Sequence, residues 1–169
     1  SAFLVAPNTF MTNAHVVDDA QQIQLHSLQG KLTGELLLSD STNDLALIRA
    51  TPPHSIDPLP FRNQSIGLAE AITTVGYPLA SLMGSSIQVT QGMISGLFGI
   101  GNDIRLLQFT APIQPGSSGS PLLDNTGAVL GVVSSSFTHA QNMNFAVRNI
   151  LAIALMEAAQ IPYTLQTQV

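Results

Sequence analysis

The stretch Gln114 to Leu122 reads Q-P-G-S-S-G-S-P-L, with small residues and two glycines between two prolines. Glycine-rich backbone loses more conformational freedom on folding than any other, so an ordinary turn is an unfavourable use of it. One arrangement that offsets this cost aims backbone N–H groups at a reacting oxygen, with a hydroxyl beside them. Ser118 would be that hydroxyl, and the N–H groups of Gly116 and Ser118 would face the oxyanion. The alternative is a flexible Gly/Ser turn between strands.

A hydroxyl nucleophile needs a base, and the base needs an orienting group. Four histidines are present: His15, His26, His54 and His139. His26 falls in an alternating strand, His54 lies among prolines, and His139 sits in a polar loop. His15 ends an apolar strand beside Ala14, Val16 and Val17, where packing can hold the ring at a crevice; a satisfied, half-buried histidine is the other reading. Asp44 opens the apolar strand D-L-A-L-I. A carboxylate entering a core must be hydrogen-bonded or paired, although turn capping is also a common role. Asp40 competes with it but lies deeper in a polar loop.

His15, Asp44 and Ser118 follow the chain order His…Asp…Ser, distinct from Asp…His…Ser and Ser…Asp…His. A nucleophile elbow does not fit, because G-S-S-G-S lacks its last glycine and Pro121 opposes the helix that an elbow needs. There is no H-E-x-x-H and no His/Asp/Glu cluster, so neither a metal nor an organic cofactor is expected.

These residues must be positioned by a scaffold of short strands. Ala2–Ala6, a segment from Phe10 through T-N-A-H-V-V to residue 17, residues 23–28, residues 31–38 and Asp44–Ala50 read as strands. Turn residues bound them and no long helix intervenes, which indicates antiparallel all-β structure. Thr51 to Gln64 carries Pro52, Pro53, Pro58 and Pro60 and reads as an extended connection. Further strands are expected near Ile72–Tyr77, Ile87–Phe98, Leu106–Ile113, Pro121–Leu123, Ala128–Ser135 and Met143–Val147. Asp124-Asn125-Thr126-Gly127 is a hairpin signal. Gly96 to Asn102 lacks the setting of a phosphate loop and reads as a turn. Residues 148–160 have helical periodicity, with Leu151, Ala154, Leu155 and Ala158 on the buried face. The expected architecture is two six-stranded antiparallel β-barrels with a C-terminal helix. One domain of 169 residues would comprise a first barrel (1–50), a linker (51–70), a second barrel (71–147) and a helix (148–160).

Composition narrows the partners. Hydrophobic residues make up 45% and charged residues 9%, with a net charge of −5. The chain is too apolar for disorder. Lys31 is the only lysine and the arginines are scattered, so no basic stripe suits nucleic acid. No apolar run is long enough for a membrane span. Cysteine is absent, so neither a disulfide framework nor a thiolate site is possible.

The blocks T-N-A-H-V-V, N-D-L-A-L-I and P-G-S-S-G-S-P-L resemble the three catalytic blocks of chymotrypsin-fold serine proteases, most closely the HtrA/Deg branch. T-V-G-Y-P-L at 74–79, V-T-Q-G-M-I-S-G at 89–96 and N-F-A-V at 144–147 fit that branch too. The resemblance implies an active site in the crevice between the barrels. His15 would take the proton of Ser118 and return it to the leaving amine, and Asp44 would fix the tautomer of His15. Ser134 falls where the fold has a serine bonding the triad aspartate, and Ser134 to Ser136 would pair with substrate backbone. It further implies protein or peptide substrates, a homo-oligomer (trimer), and a periplasmic, secreted or organellar setting. HtrA-type proteases continue into a PDZ domain, for which residues 1–169 leave no room beside the protease domain.

Two departures bear on mechanism and specificity. Ser117 precedes the nucleophile where trypsins carry aspartate and HtrA-like enzymes asparagine, so no trypsin-style zymogen switch is expected. The specificity pocket would be lined by Pro112, Ile113, Ser134, Ser135, Ser136 and Asn144. Val133 falls where glutamate-specific relatives place a histidine. With no acid at the pocket base and Asn144 replacing a usual glycine, small or medium aliphatic residues are expected before the scissile bond. The rival reading is a catalytically silent protease fold that binds peptides or unfolded segments by strand addition; a third is an esterase or viral-type processing enzyme on the same barrels.

Overall fold

The computed structural model describes residues 1–77, 86–137 and 143–167. Pro78 and Leu79 of the T-V-G-Y-P-L block, and His139, lie outside the described residues.

Five strands form the first half: β1 (Phe3–Ala6), β2 (Thr9–Thr12), β3 (Ile23–Ser27), β4 (Gly30–Asp40) and β5 (Leu45–Arg49). All pairings are antiparallel, in the order β1-β2-β5-β4-β3. The segment expected as one strand from Phe10 to residue 17 divides. β2 ends at Thr12, and Ala14–Val17 forms a single helical turn, α1. This half is an open half-barrel of five strands, not the closed six-stranded barrel expected. Its packing explains the difference. The outer strands β3 and β4 have no fully buried residue, and the core on that side reduces to Val17, Ala46 and Ile48, with Phe10, Ile23 and Leu25 half-buried against them.

The second half is a closed barrel of six strands. They are β6 (Ala71–Gly76), β7 (Gln88–Gly96), β8 (Leu106–Phe109), β9 (Pro121–Leu123), β10 (Val129–Ser134) and β11 (Asn144–Arg148). The order around the barrel is β10-β11-β8-β7-β6-β9. The D-N-T-G hairpin joins β9 to β10, with Gly127 at φ +86°. The barrel interior holds Ile72, Ile94, Leu107, Phe109, Leu122, Leu130 and Val133. Helix α2 (Asn149–Ala158) follows β11 directly and buries Asn149, Ala152, Leu155 and Met156. Of the face expected to be buried, Leu155 is buried, Leu151 is half-buried, and Ala154 and Ala158 are exposed. The segment I-L-A-I-A-L-M is apolar all round, so periodicity could not select the face.

The largest core cluster belongs to neither half alone. Phe3, Val5, Met11, Leu45 and Leu47 of the first sheet pack with Phe61, Val129, Phe145, Val147 and the helix residues Ala152 and Met156. Phe61 and Phe145 are fully buried, and burying such a side chain stabilises the fold by about 1.5–3 kcal/mol. The proline-rich connection is therefore stitched into the structure. The Phe61 N–H donates to the Thr164 carbonyl at 2.8 Å and the Arg62 N–H to the Val129 carbonyl at 3.0 Å. This shared core holds the two halves together. The protein is an all-β chymotrypsin-type double barrel with a C-terminal helix. No helix among the described residues is long and apolar enough to cross a membrane.

Candidate active site

Asp44 is delivered by a turn, not by the strand itself. The Asp40 side chain accepts from the Asn43 N–H at 3.2 Å and from Asn43 Nδ2 at 2.8 Å. The chain then enters β5 through Asp44 in the left-handed region, φ +56°, a conformation that aspartate tolerates through local hydrogen bonding. Asp44 is only 4% exposed. It is fully occupied: Oδ1 accepts the His15 backbone N–H at 2.9 Å, while Oδ2 faces His15 Nδ1 at 2.7 Å and Ser134 Oγ at 2.6 Å. Its carbonyl accepts Asn13 Nδ2 at 2.9 Å.

His15 lies in the helical turn α1, where first-turn N–H groups have no intrahelical partner; one of them is the N–H held by Asp44. A carboxylate only accepts, so the proton between Asp44 Oδ2 and Nδ1 sits on Nδ1. In a neutral imidazole with that tautomer, Nε2 keeps its lone pair. The Ser136 hydroxyl is also 3.0 Å from Nδ1.

The loop from Gln114 to Ser120 is tied within itself and to Ser1, which precedes β1. Ser117 Oγ accepts the Gln114 N–H at 3.1 Å, the Ser117 N–H donates to the Gln114 carbonyl at 2.9 Å, and the Ser120 N–H to the Ser117 carbonyl at 3.0 Å. Ser1 Oγ donates to the Gly116 carbonyl at 2.7 Å, and Thr12 Oγ1 to the Ser1 carbonyl at 2.7 Å. Gly116 and Gly119 have φ +95° and +89°. A Cβ on Gly119 would lie 2.1 Å from the Ser1 carbonyl oxygen and 2.5 Å from Thr12 Oγ1, so a side chain is excluded there.

Hydrogen bonds thus join His15, Asp44, Ser134 and Ser136. Ser118, however, is not hydrogen-bonded to His15 among the described residues. Its Oγ pairs with Ser135 Oγ at 2.8 Å and also accepts the Ser135 N–H at 3.4 Å. Ser134 is fully buried and spends its hydroxyl on Asp44, so its side chain is no pocket wall. Asn144 Nδ2 donates to the Ala111 carbonyl at 2.8 Å, which ties β11 to the segment leading into Pro112 and Ile113. Pro112 is exposed and Ile113 half-buried. Sequence reasoning did not single out Asn13 or Thr12. The signal for Asn13 was available: a polar residue between an apolar strand and His15 that is fully buried in the fold.

The chain matches the family model for the trypsin-like peptidase domain over residues 1–132. It is 34% identical over 168 residues to an uncharacterised protein, y4bJ, of Sinorhizobium fredii, covering 91% of this chain and 26% of that protein. It is 31% identical over 149 residues to the serine protease Do-like HtrA of Bacillus subtilis, covering 81% of this chain and 33% of that protein. It therefore spans a third or less of the length of these curated relatives. Among solved structures it is similar to the serine endoprotease from Yersinia pestis, with a TM-score of 0.79 and 28% identity over 94% of this chain and 56% of that one. Family model, relatives and structural likeness agree with the double barrel, and the chain belongs to the trypsin-like peptidase family as an HtrA-like protease domain.

Proposed function

We propose that the chain is a serine endopeptidase in which Ser118 is the nucleophile, His15 the general base and Asp44 the group that orients His15. The observation that carries this reading is the buried Asp44 carboxylate 2.7 Å from His15 Nδ1, with Ser134 of the second barrel donating to the same oxygen. A solvated surface pair would need neither the burial nor the second donor. In the reaction, Ser118 Oγ attacks the scissile carbonyl while its proton passes to His15 Nε2. The tetrahedral oxyanion lies against the N–H groups of Gly116 and Ser118. His15 then returns the proton to the leaving amine, and water repeats the sequence to free the acid. Each oxyanion donor is worth about 3–4 kcal/mol of transition-state stabilisation.

The substrate is an extended or unfolded protein segment. Ser135 and Ser136 are exposed at the end of β10, where substrate backbone can add as a strand. The side chain before the scissile bond is small or medium aliphatic, because Pro112 and Ile113 bring no charge to the pocket and Asn144 narrows it. Peptide-library profiling tests this: aliphatic residues should dominate at that position, and a dominant basic or aromatic residue would contradict it.

A second reading is favoured by one contact. With Ser118 Oγ held by Ser135 at 2.8 Å, the nucleophile is parked away from its base, as a peptide-binding module without activity would allow. Casein hydrolysis by the wild type and by Ser118→Ala separates the two. Activity lost with the hydroxyl is expected; equal, background-level values for both proteins would favour the binder.

A further inference from the structure

Arg105 immediately precedes β8 in the second barrel, yet its guanidinium reaches the first. Nη1 donates to the Thr42 carbonyl at 2.8 Å and to Asn43 Oδ1 at 3.4 Å. Nε and Nη2 close a fork on Asp103 at 3.0 and 2.7 Å. The guanidinium carbon also lies 5.3 Å from the centre of the Phe137 ring, a cation–π distance.

These partners are not scattered. Thr42 and Asn43 belong to the turn that places Asp44 at φ +56°. Phe137 follows Ser136, whose hydroxyl is 3.0 Å from His15 Nδ1, and lies just beyond Ser134, which holds Asp44 Oδ2. One side chain therefore grips both segments that meet at the carboxylate, one from each half of the molecule. Only arginine can do this. It has five donors in a rigid plane and a face that stacks, whereas lysine offers a point charge.

We propose that Arg105 is a positioning residue that clamps the 42–43 turn to Phe137 and so fixes the Asp44 carboxylate against His15. Arg105 makes no hydrogen bond to Ser118, His15 or the Asp44 side chain; it acts through Asp44. The inference rests on the peptidase reading of those three residues. The role is separable from stability because it predicts dependence on Asp44 specifically.

The test is steady-state hydrolysis of fluorescent casein together with the rate of fluorophosphonate labelling. A wild type that neither cleaves nor labels would sink the peptidase reading, and the clamp with it. With an active wild type, Arg105→Ala should lower kcat by about 10- to 100-fold, the scale of a small misplacement, with KM nearly unchanged. Arg105→Lys should recover only a small part of the loss. In an Asp44→Asn background, Arg105→Ala should add almost nothing, as for residues that act as one unit. An unchanged kcat, or losses that multiply in the double variant, would overturn the proposal. So would activity restored simply by assaying below the variant's melting temperature. If Arg105→Ala does not fold, Asn43→Ala and Phe137→Leu each remove one partner and leave the guanidinium. Both should lower kcat without raising KM, and unchanged kcat in both would equally overturn it.

Discussion

Ser134 and Asp44 are 90 residues apart in the chain, yet the Ser134 hydroxyl donates to Asp44 Oδ2 at 2.6 Å, on the same oxygen that faces His15. The carboxylate is thus held by one donor from each half of the molecule, and its other oxygen is held by the His15 backbone. Replacing the carboxylate should hurt far more than removing one of its donors. Asp44→Asn permits the wrong imidazole tautomer, and kcat should fall by about 10⁴-fold. Ser134→Ala leaves one buried acceptor short of a donor and should cost about tenfold. Turnover of a peptide substrate across pH checks both, and equal losses would contradict this ordering.

The Ser118–Ser135 hydroxyl pair sets a second expectation. To reach His15, Ser118 must leave a hydrogen bond of 2.8 Å, whose net worth is about 1 kcal/mol. Ser135→Ala should therefore speed labelling of Ser118 by about fivefold, since RT is about 0.59 kcal/mol and the resting contact is removed. A slower reaction would assign Ser135 a productive role.

Gly119 predicts a structural failure close to the nucleophile. Gly119→Ala would place a methyl 2.1 Å from the Ser1 carbonyl oxygen in a backbone held at φ +89°. Strain alone at such a position costs about 1–3 kcal/mol, and the collision adds to it. The denaturation midpoint should drop and Ser118 labelling should be lost together. Labelling at the wild-type rate would show that the loop tolerates the shift.

Away from the crevice, Asp124 makes stability depend on acid. Burial disfavours its charged form, but donors from Thr126, Ala128 and Arg62 outweigh this and hold the carboxyl below its ordinary range. A lowered folded value means that these contacts stabilise the fold above the ordinary aspartate value of about 3.9 and are lost as pH falls through the folded one. Asp124→Asn should be less stable than the wild type at neutral pH and should lose less stability as pH falls below the ordinary aspartate value. Parallel acid limbs in urea titrations would contradict this.

Sequence reasoning reached the second barrel because its strands are short, largely apolar runs punctuated by turn residues, a local signal. It singled out His15 and Asp44, which the fold brings within 2.7 Å of each other, because each sits where an apolar run meets polar residues, and Ser118 because it lies in a glycine-rich stretch between two prolines. It read the backbone around His15 as strand because A-H-V-V is β-prone. The single turn at 14–17 forms instead around a tertiary bond, the His15 N–H on Asp44 Oδ1. The Ser118–Ser135 and Ser136–His15 contacts depend on side-chain torsions that residue identities do not encode. Arg105 looked like one of several scattered arginines, because its partners at 42, 43 and 137 are brought together only by the closed fold.

Whether Ser118 is an activated nucleophile can be read covalently. Wild-type protein and Ser118→Ala would be exposed to a serine-directed fluorophosphonate, with and without casein present, and the adduct mapped by mass spectrometry. Labelling should be confined to Ser118 in the wild type, accelerated by casein as substrate draws the hydroxyl from Ser135, and absent in the variant. A folded wild type that stays unlabelled even with casein present, or an adduct on another serine, would contradict it.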